Sequence, residues 1–192
     1  MKRKITEQEK VATFREELDL IFDETIRFFT EICLMMAPDY FFFIPSSSSG
    51  KYHPIDELGQ DGCILHTKRV VTVAYDLCRG LGCEKNRDAI ISACIIHDLV
   101  KQGKEESGHT VKYHPDLAAK LVEKVQKDIR VLAEKDFNII RNSVGYHYGP
   151  WSVGRWVKPL HEFTLEELCV YLSDYTSSKK TVVVKHKDRF VE

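Results

Sequence analysis

Ala93-Cys94-Ile95-Ile96-His97-Asp98-Leu99-Val100-Lys101 decides the reading of this chain. It is the end of an apolar helical segment, expected over Asp88 to Lys101, that delivers two adjacent metal-type ligands, His97 and Asp98. A helix this apolar seldom ends on a His-Asp pair for structural reasons alone. Four residues elsewhere are suited to join the pair: His66, His114, His147 and Asp174. Divalent cations such as Mn, Fe, Co, Ni or Zn favour imidazole nitrogen, with carboxylate oxygen compensating charge. Adjacent helical residues point about 100° apart, so His97 and Asp98 do not stack on one face. Both can still reach a pocket at the mouth of a helical bundle, where facing helices build metal sites.

Working outward, helical periodicity dominates. Thr6 to Met36 reads as one long amphipathic helix, or two with a bend, opened by a Thr6/Glu9 capping box and stopped by Pro38. Its apolar face carries Val11, Phe14, Leu18, Ile21, Phe22, Thr25, Phe29, Ile32 and Met36. A face this wide packs on the main domain or on a second subunit. Further helices are expected over Ile64 to Leu81, Pro115 to Lys127 and Asp128 to Tyr146. A second capping box, Thr164/Glu167, opens a last one that reaches about Ser177. The central helix is expected to be capped by Asn86 or a neighbour and broken at Gly103. Thr181 to Val184 is β-branched but has no partner strand. The fold class is all-α: a helical bundle (63–180) with an N-terminal helical extension (1–37), a long Ser- and aromatic-rich connection (38–62) and a tail (181–192).

Composition narrows the classes. With 43% hydrophobic and 30% charged residues in 192, the chain suits one soluble domain with a sizeable core. A formal net charge of −1 exerts no global pull toward nucleic acid or anionic membrane. Lys2-Arg3-Lys4 reads as a solvated helix entry. The six cysteines form no CxxC pair and sit mostly in apolar segments, as small buried hydrophobes. Met1 to Lys10 lacks the apolar core of a signal peptide, and no apolar run approaches the roughly 18 residues that span a bilayer. The expectation is a cytoplasmic protein with reduced thiols.

The arrangement resembles the HD-domain superfamily of metal-dependent phosphohydrolases, whose signature is an early His, a central His-Asp doublet and a distant Asp on a helical bundle. His66, His97-Asp98 and Asp174 match that order over about residues 60 to 178. Ile-Ile-His-Asp-Leu-Val-Lys follows the family's apolar-His-Asp-apolar-x-Lys pattern, and Tyr171 to Ser177 looks like the segment carrying the final Asp. His114 and His147 fall where a two-metal branch has additional histidines. The resemblance implies a first metal on His66, His97, Asp98 and Asp174, with Asp98 bridging to a second on His114 and His147. Tyr146 stands where some relatives have another His, which bears on the second site.

Around this centre, Lys101 follows Asp98 by three residues, nearly one helical turn, and could hold a phosphoryl oxygen. The plainer reading is a cation at a helix C-terminus. Ser46-Ser47-Ser48-Ser49-Gly50-Lys51-Tyr52 fails as a P-loop, because it lacks the first glycine, the final Ser or Thr and a preceding strand. Its hydroxyls, glycine backbone and lysine nevertheless suit phosphate. Ser49, Lys51 and His53 are therefore candidate substrate contacts, against the plainer reading of a solvated turn. Tyr148 and Trp151, beside His147, could stack on a nucleobase or pack the loop onto the bundle.

The leading expectation is a metal-dependent phosphohydrolase acting on a small phosphorylated metabolite, a nucleotide before others, as phosphomonoester or cyclic phosphodiester. Asp98 and Lys101 would be the catalytic groups, with one or two divalent ions as cofactor. The alternative is a non-catalytic nucleotide- or metal-binding sensor that dimerises through the N-terminal helix. A nucleic-acid phosphodiesterase ranks third, since Lys and Arg are scattered among equally many acids.

Overall fold

The computed structural model describes residues 3–184, and among these it is all-α with no strand. Lys2, His186 and the rest of the tail beyond Val184 lie outside the described residues. Eight α-helices follow in order: α1 Glu7–Thr13, α2 Arg15–Leu18, α3 Glu24–Met36, α4 Gly62–Leu81, α5 Arg87–Ile96, α6 His114–Ile129, α7 Glu134–Tyr146 and α8 Leu165–Ser177. α5 is the central rod, packed by α3, α4, α7 and α8. Every residue from Ala89 to Ile96 is buried, which is why its sequence is apolar on all sides.

The segment over Thr6–Met36, expected as one helix or two with a bend, is instead three pieces. Phe14 leaves helical geometry at φ −114°, ψ 24°, and a second break precedes α3. There the Asp23 carboxylate accepts from the Thr25 and Ile26 amides, restarting the helix, while the Asp23 amide donates to Asp88 at the head of α5. Because the break rotates the chain, Phe22 is 70% exposed, under the Arg87 guanidinium, rather than inward. Thr25 and Met36 also face outward. The remaining apolar face, including Val11, Phe14, Leu18, Ile21, Phe29 and Leu34, packs into the chain's own core. Both capping boxes form.

α6 runs slightly past its expected end at Lys127, while α7 and α5 are shorter than their patterns suggest. α6 stops at Ile129 because Arg130 takes a left-handed conformation, φ 52°. The Gln126 amide then holds Leu132 at both its amide and its carbonyl, so α7 starts only at Glu134. α5 ends at Ile96 rather than Lys101: beyond it the Leu99, Lys101 and Gly103 amides each bond three residues back, in tight turns. Asn86 precedes α5 but does not cap it with its side chain, which donates to Glu166 instead.

The 38–62 connection is anchored, not loose. Phe41 and Phe42 are buried edge-to-face at 5.2 Å, and the Tyr40 hydroxyl donates to the Gly103 carbonyl and accepts from the Gln102 amide. That ties the connection to the turns following His97-Asp98. At the start of α4, a Cβ on Gly62 would lie 1.8 Å from the Glu57 carbonyl oxygen. Glycine there lets Glu57 run directly against the helix that carries His66.

Candidate metal centre

Five segments deliver the ligand-type side chains to one place. His66 sits inside α4, Asp174 inside α8, and His114 at the head of α6. His97 and His147 occupy the positions just past the last residues of α5 and α7, and Asp98 follows in the first turn. All four imidazoles and Asp98 are almost completely buried.

Three rings share one device. The Nδ1–H of His97 donates to the Cys94 carbonyl at 2.6 Å, that of His114 to Val111 at 2.8 Å, and that of His147 to Val144 at 2.7 Å. Each acceptor lies three residues earlier, and those of Cys94 and Val144 belong to last helical turns, where carbonyls lack helical partners. The bonds fix the tautomer and aim each Nε2 lone pair inward, the arrangement typical of metal-ligating histidine.

Inside, His66 Nε2 lies 3.0 Å from Asp174 Oδ1, and His97 Nε2 lies 3.5 Å from Asp98 Oδ2 and 4.0 Å from Asp174 Oδ1. Asp98 Oδ1 is 3.3 Å from His114 Nε2 and 3.8 Å from His147 Nε2. Two ligand groups result, His66/His97/Asp98 and Asp98/His114/His147, with Asp98 common to both. His97 Nε2 and Asp98 Oδ1 are buried without a hydrogen-bond partner, an arrangement costly unless something else satisfies them. Inward lone pairs, orphaned buried atoms and a carboxylate shared by two histidine sets fit divalent cations of the N/O-binding type.

The electrostatics agree. Burial works against a charge on Asp98, yet Lys101, His97 and His114 hold its pKa well below the usual carboxylate range. Burial likewise opposes the Lys101 charge, but Asp98, accepting from its Nζ at 2.5 Å, keeps the pKa above the ordinary lysine value. His147 is pushed down to about 3 by burial, with His114 and His97 adding. His66 goes the other way: against the burial penalty, Asp174 and Glu57 push it up to about 9.

The centre forms the floor of a cavity of about 580 Å³. Asp98, Lys101, His114, His147 and Asp174 reach its lining, as do the expected contacts Ser49, His53, Tyr148 and Trp151. Lys51 does not: it is exposed, and its ammonium lies over the Tyr52 ring, 5.1 Å from the centroid, outside the lining. Lys179 lines the cavity instead, with its Nζ 3.7 Å from the Tyr175 ring centroid. Trp151 stacks on Tyr175 at 5.8 Å and 7°, whereas Tyr146 turns away to Trp156 and Phe163. Tyr175 and Lys179 went unnoticed in the sequence because only the three-dimensional course of α8 brings them to the rim. Glu57 was missed too, since a loop carboxylate carries no local signal of burial.

The helical bundle thus gathers four imidazoles and two carboxylates, able to hold a metal, beside one cavity. The HD domain family matches residues 64–179, more than half of the chain, and the chain belongs to that family. Domains of this family are typically metal-dependent hydrolases that bind divalent ions. No curated protein and no solved structure matches the chain.

Proposed function

We propose that the protein is a metal-dependent phosphohydrolase that cleaves a phosphate ester of a small metabolite, a nucleotide in the first instance. The observation that carries this reading is the position of Asp98, shared by two histidine sets on the floor of a cavity that Lys101 also lines. His66, His97, Asp98 and Asp174 would hold one ion, and Asp98, His114 and His147 a second. Bound divalent ions acidify water and neutralise phosphate charge.

The chain's own residues supply the rest. Lys101 places an ammonium beside Asp98, where a phosphoryl oxygen and the charge developing on it need a cation. Ser46 to Ser49 add hydroxyl-bearing residues to the lining, and Gly50 turns the chain there with φ 62°. Tyr148, Trp151 and Tyr175 form an aromatic wall, with Lys179 at its edge. A polar, cation-bearing side and an aromatic side within one cavity suit a molecule with a phosphate at one end and a flat ring at the other.

Phosphate release should be followed with metal-loaded protein on nucleoside monophosphates, cyclic nucleotides and sugar phosphates. Turnover of a nucleotide, abolished by chelator and by Asp98→Ala, is the expected result. Tight nucleotide binding without turnover in fully loaded protein would replace the enzyme with a sensor. Preference for sugar phosphates, unchanged in Trp151→Ala, would remove the nucleotide.

A further inference from the structure

His66 is the one histidine of the centre that cannot use the device of the other three. It sits inside α4, where carbonyls of the preceding turn are taken up by the helical ladder. Its Nδ1 is buried and makes no hydrogen bond, and the Glu57 carboxylate faces it, with Oε2 at 3.3 Å. Glu57 comes from the 38–62 connection and is completely buried.

A buried carboxylate is costly unless it is paired, and this one is paired on every side. Arg69 Nη1 donates to Oε1 at 2.7 Å, while Oε2 meets His53 Nδ1 at 2.8 Å and Ser46 Oγ at 3.2 Å, besides His66. The Glu57 carbonyl accepts from the Ser46 amide at 3.0 Å, locking the serine segment to the same point. Arg69 lies three residues beyond His66 on α4, so ligand and compensating cation share one face. Gly62 permits the close approach that brings Glu57 there.

We propose that Glu57 is a positioning residue: its carboxylate orients the His66 ring toward the first metal and joins that ligand to the cavity wall that carries His53 and Ser46. The inference rests on the metal-centre reading above. A carboxylate on the outer nitrogen fixes a ligating ring and raises its basicity, and loss of such a partner costs about ten- to a hundredfold in metal affinity.

Zinc alone is the probe, titrated against a chromophoric chelator into the full chain, with the His66 Nδ1 proton followed by NMR. In Glu57→Gln, which keeps shape and loses charge, zinc affinity at the first site should fall about ten- to a hundredfold, and the Nδ1 proton resonance should shift and exchange faster. Ser46→Ala, which loosens the connection but spares the Glu57–His66 pair, should bind zinc as the wild type does. Unchanged zinc affinity in Glu57→Gln, or an equal loss in Ser46→Ala, would overturn the role of the carboxylate while leaving the metal centre intact. Wild type that takes up no zinc would instead overturn the metal centre itself, and this inference with it. Should Glu57→Gln not fold, Glu57→Asp carries the test: a retracted carboxylate should weaken zinc binding, and wild-type affinity would overturn the proposal.

Discussion

His114 Nε2 lies 3.0 Å from His147 Nε2, while the outer nitrogen of each ring donates to a backbone carbonyl. With both Nδ1 atoms carrying protons, the two inner nitrogens face each other as lone pairs, and either a shared proton or a cation must lie between them. Two ligands each about 2.1 Å from one ion at a right angle stand about 3 Å apart, so the spacing suits a metal.

The first expectation concerns stoichiometry. Elemental analysis of reconstituted protein should find two metals per chain, one in His147→Ala, and none retained in Asp98→Ala, since Asp98 serves both histidine sets. One metal per chain, indifferent to His147→Ala, would leave His147 for substrate contact.

The second is a pH dependence with opposite signs on its two sides. In metal-free protein His66 is raised from 6.5 to about 9, so its stabilisation is complete below pH 6.5 and lost as pH rises through 9. That contribution is on the order of 3 kcal/mol. His147 is depressed from 6.5 to about 3, so the unfolded chain takes its proton first and stability falls as pH drops below 6.5. Thermal melts of the metal-free protein should therefore peak near pH 6.5. Metal binding at neutral pH must expel the His66 proton, which calorimetry in buffers of different ionisation enthalpy would register as about one proton released. An alkaline limb that is flat without metal would refute the paired imidazolium.

Much of this centre was readable because its ligands stand at places where sequence patterns change. His97-Asp98 interrupts an apolar run, and His114 precedes a helix-opening proline. What was not readable depends on contacts between distant segments. A bend in the first segment was allowed for, but nothing near Asp23 announces that its amide meets Asp88, so the place of the break before α3, and with it the outward turn of Phe22, was not readable. The Gln126 clamp that separates α6 from α7 is likewise a side-chain event that periodicity cannot register. Lys51 was expected in the cavity by its closeness to the serines, but a left-handed turn at Gly50 precedes it and its side chain settles over Tyr52.

Lys10 is expected to matter for stability although it stands on a charged, N-terminal helix. Its ammonium is buried, donating to the Ala37 carbonyl at 2.6 Å and the Met35 carbonyl at 3.3 Å and pairing with Asp39 at 2.8 Å. It thus satisfies carbonyls at the C-terminus of α3. Lys10→Met keeps the apolar stem and strips the donors, and should cost about 1–3 kcal/mol in denaturant unfolding. A loss no larger than that of an exposed neighbour such as Lys4→Met would refute the cap.

Lys101 separates the catalytic reading from a structural one. Its position beyond the end of α5 removes the plain explanation of a helix-terminal cation. If the ammonium stabilises charge at phosphorus, Lys101→Met should lower kcat by about a hundred- to a thousandfold, the scale of losing one preorganised electrostatic group, with metals still bound. A ground-state role would appear in KM with kcat unchanged. Loss of metal in the same variant would mean that Lys101 acts by holding the Asp98 carboxylate in place. Measuring metal content and both kinetic constants on one preparation separates the three.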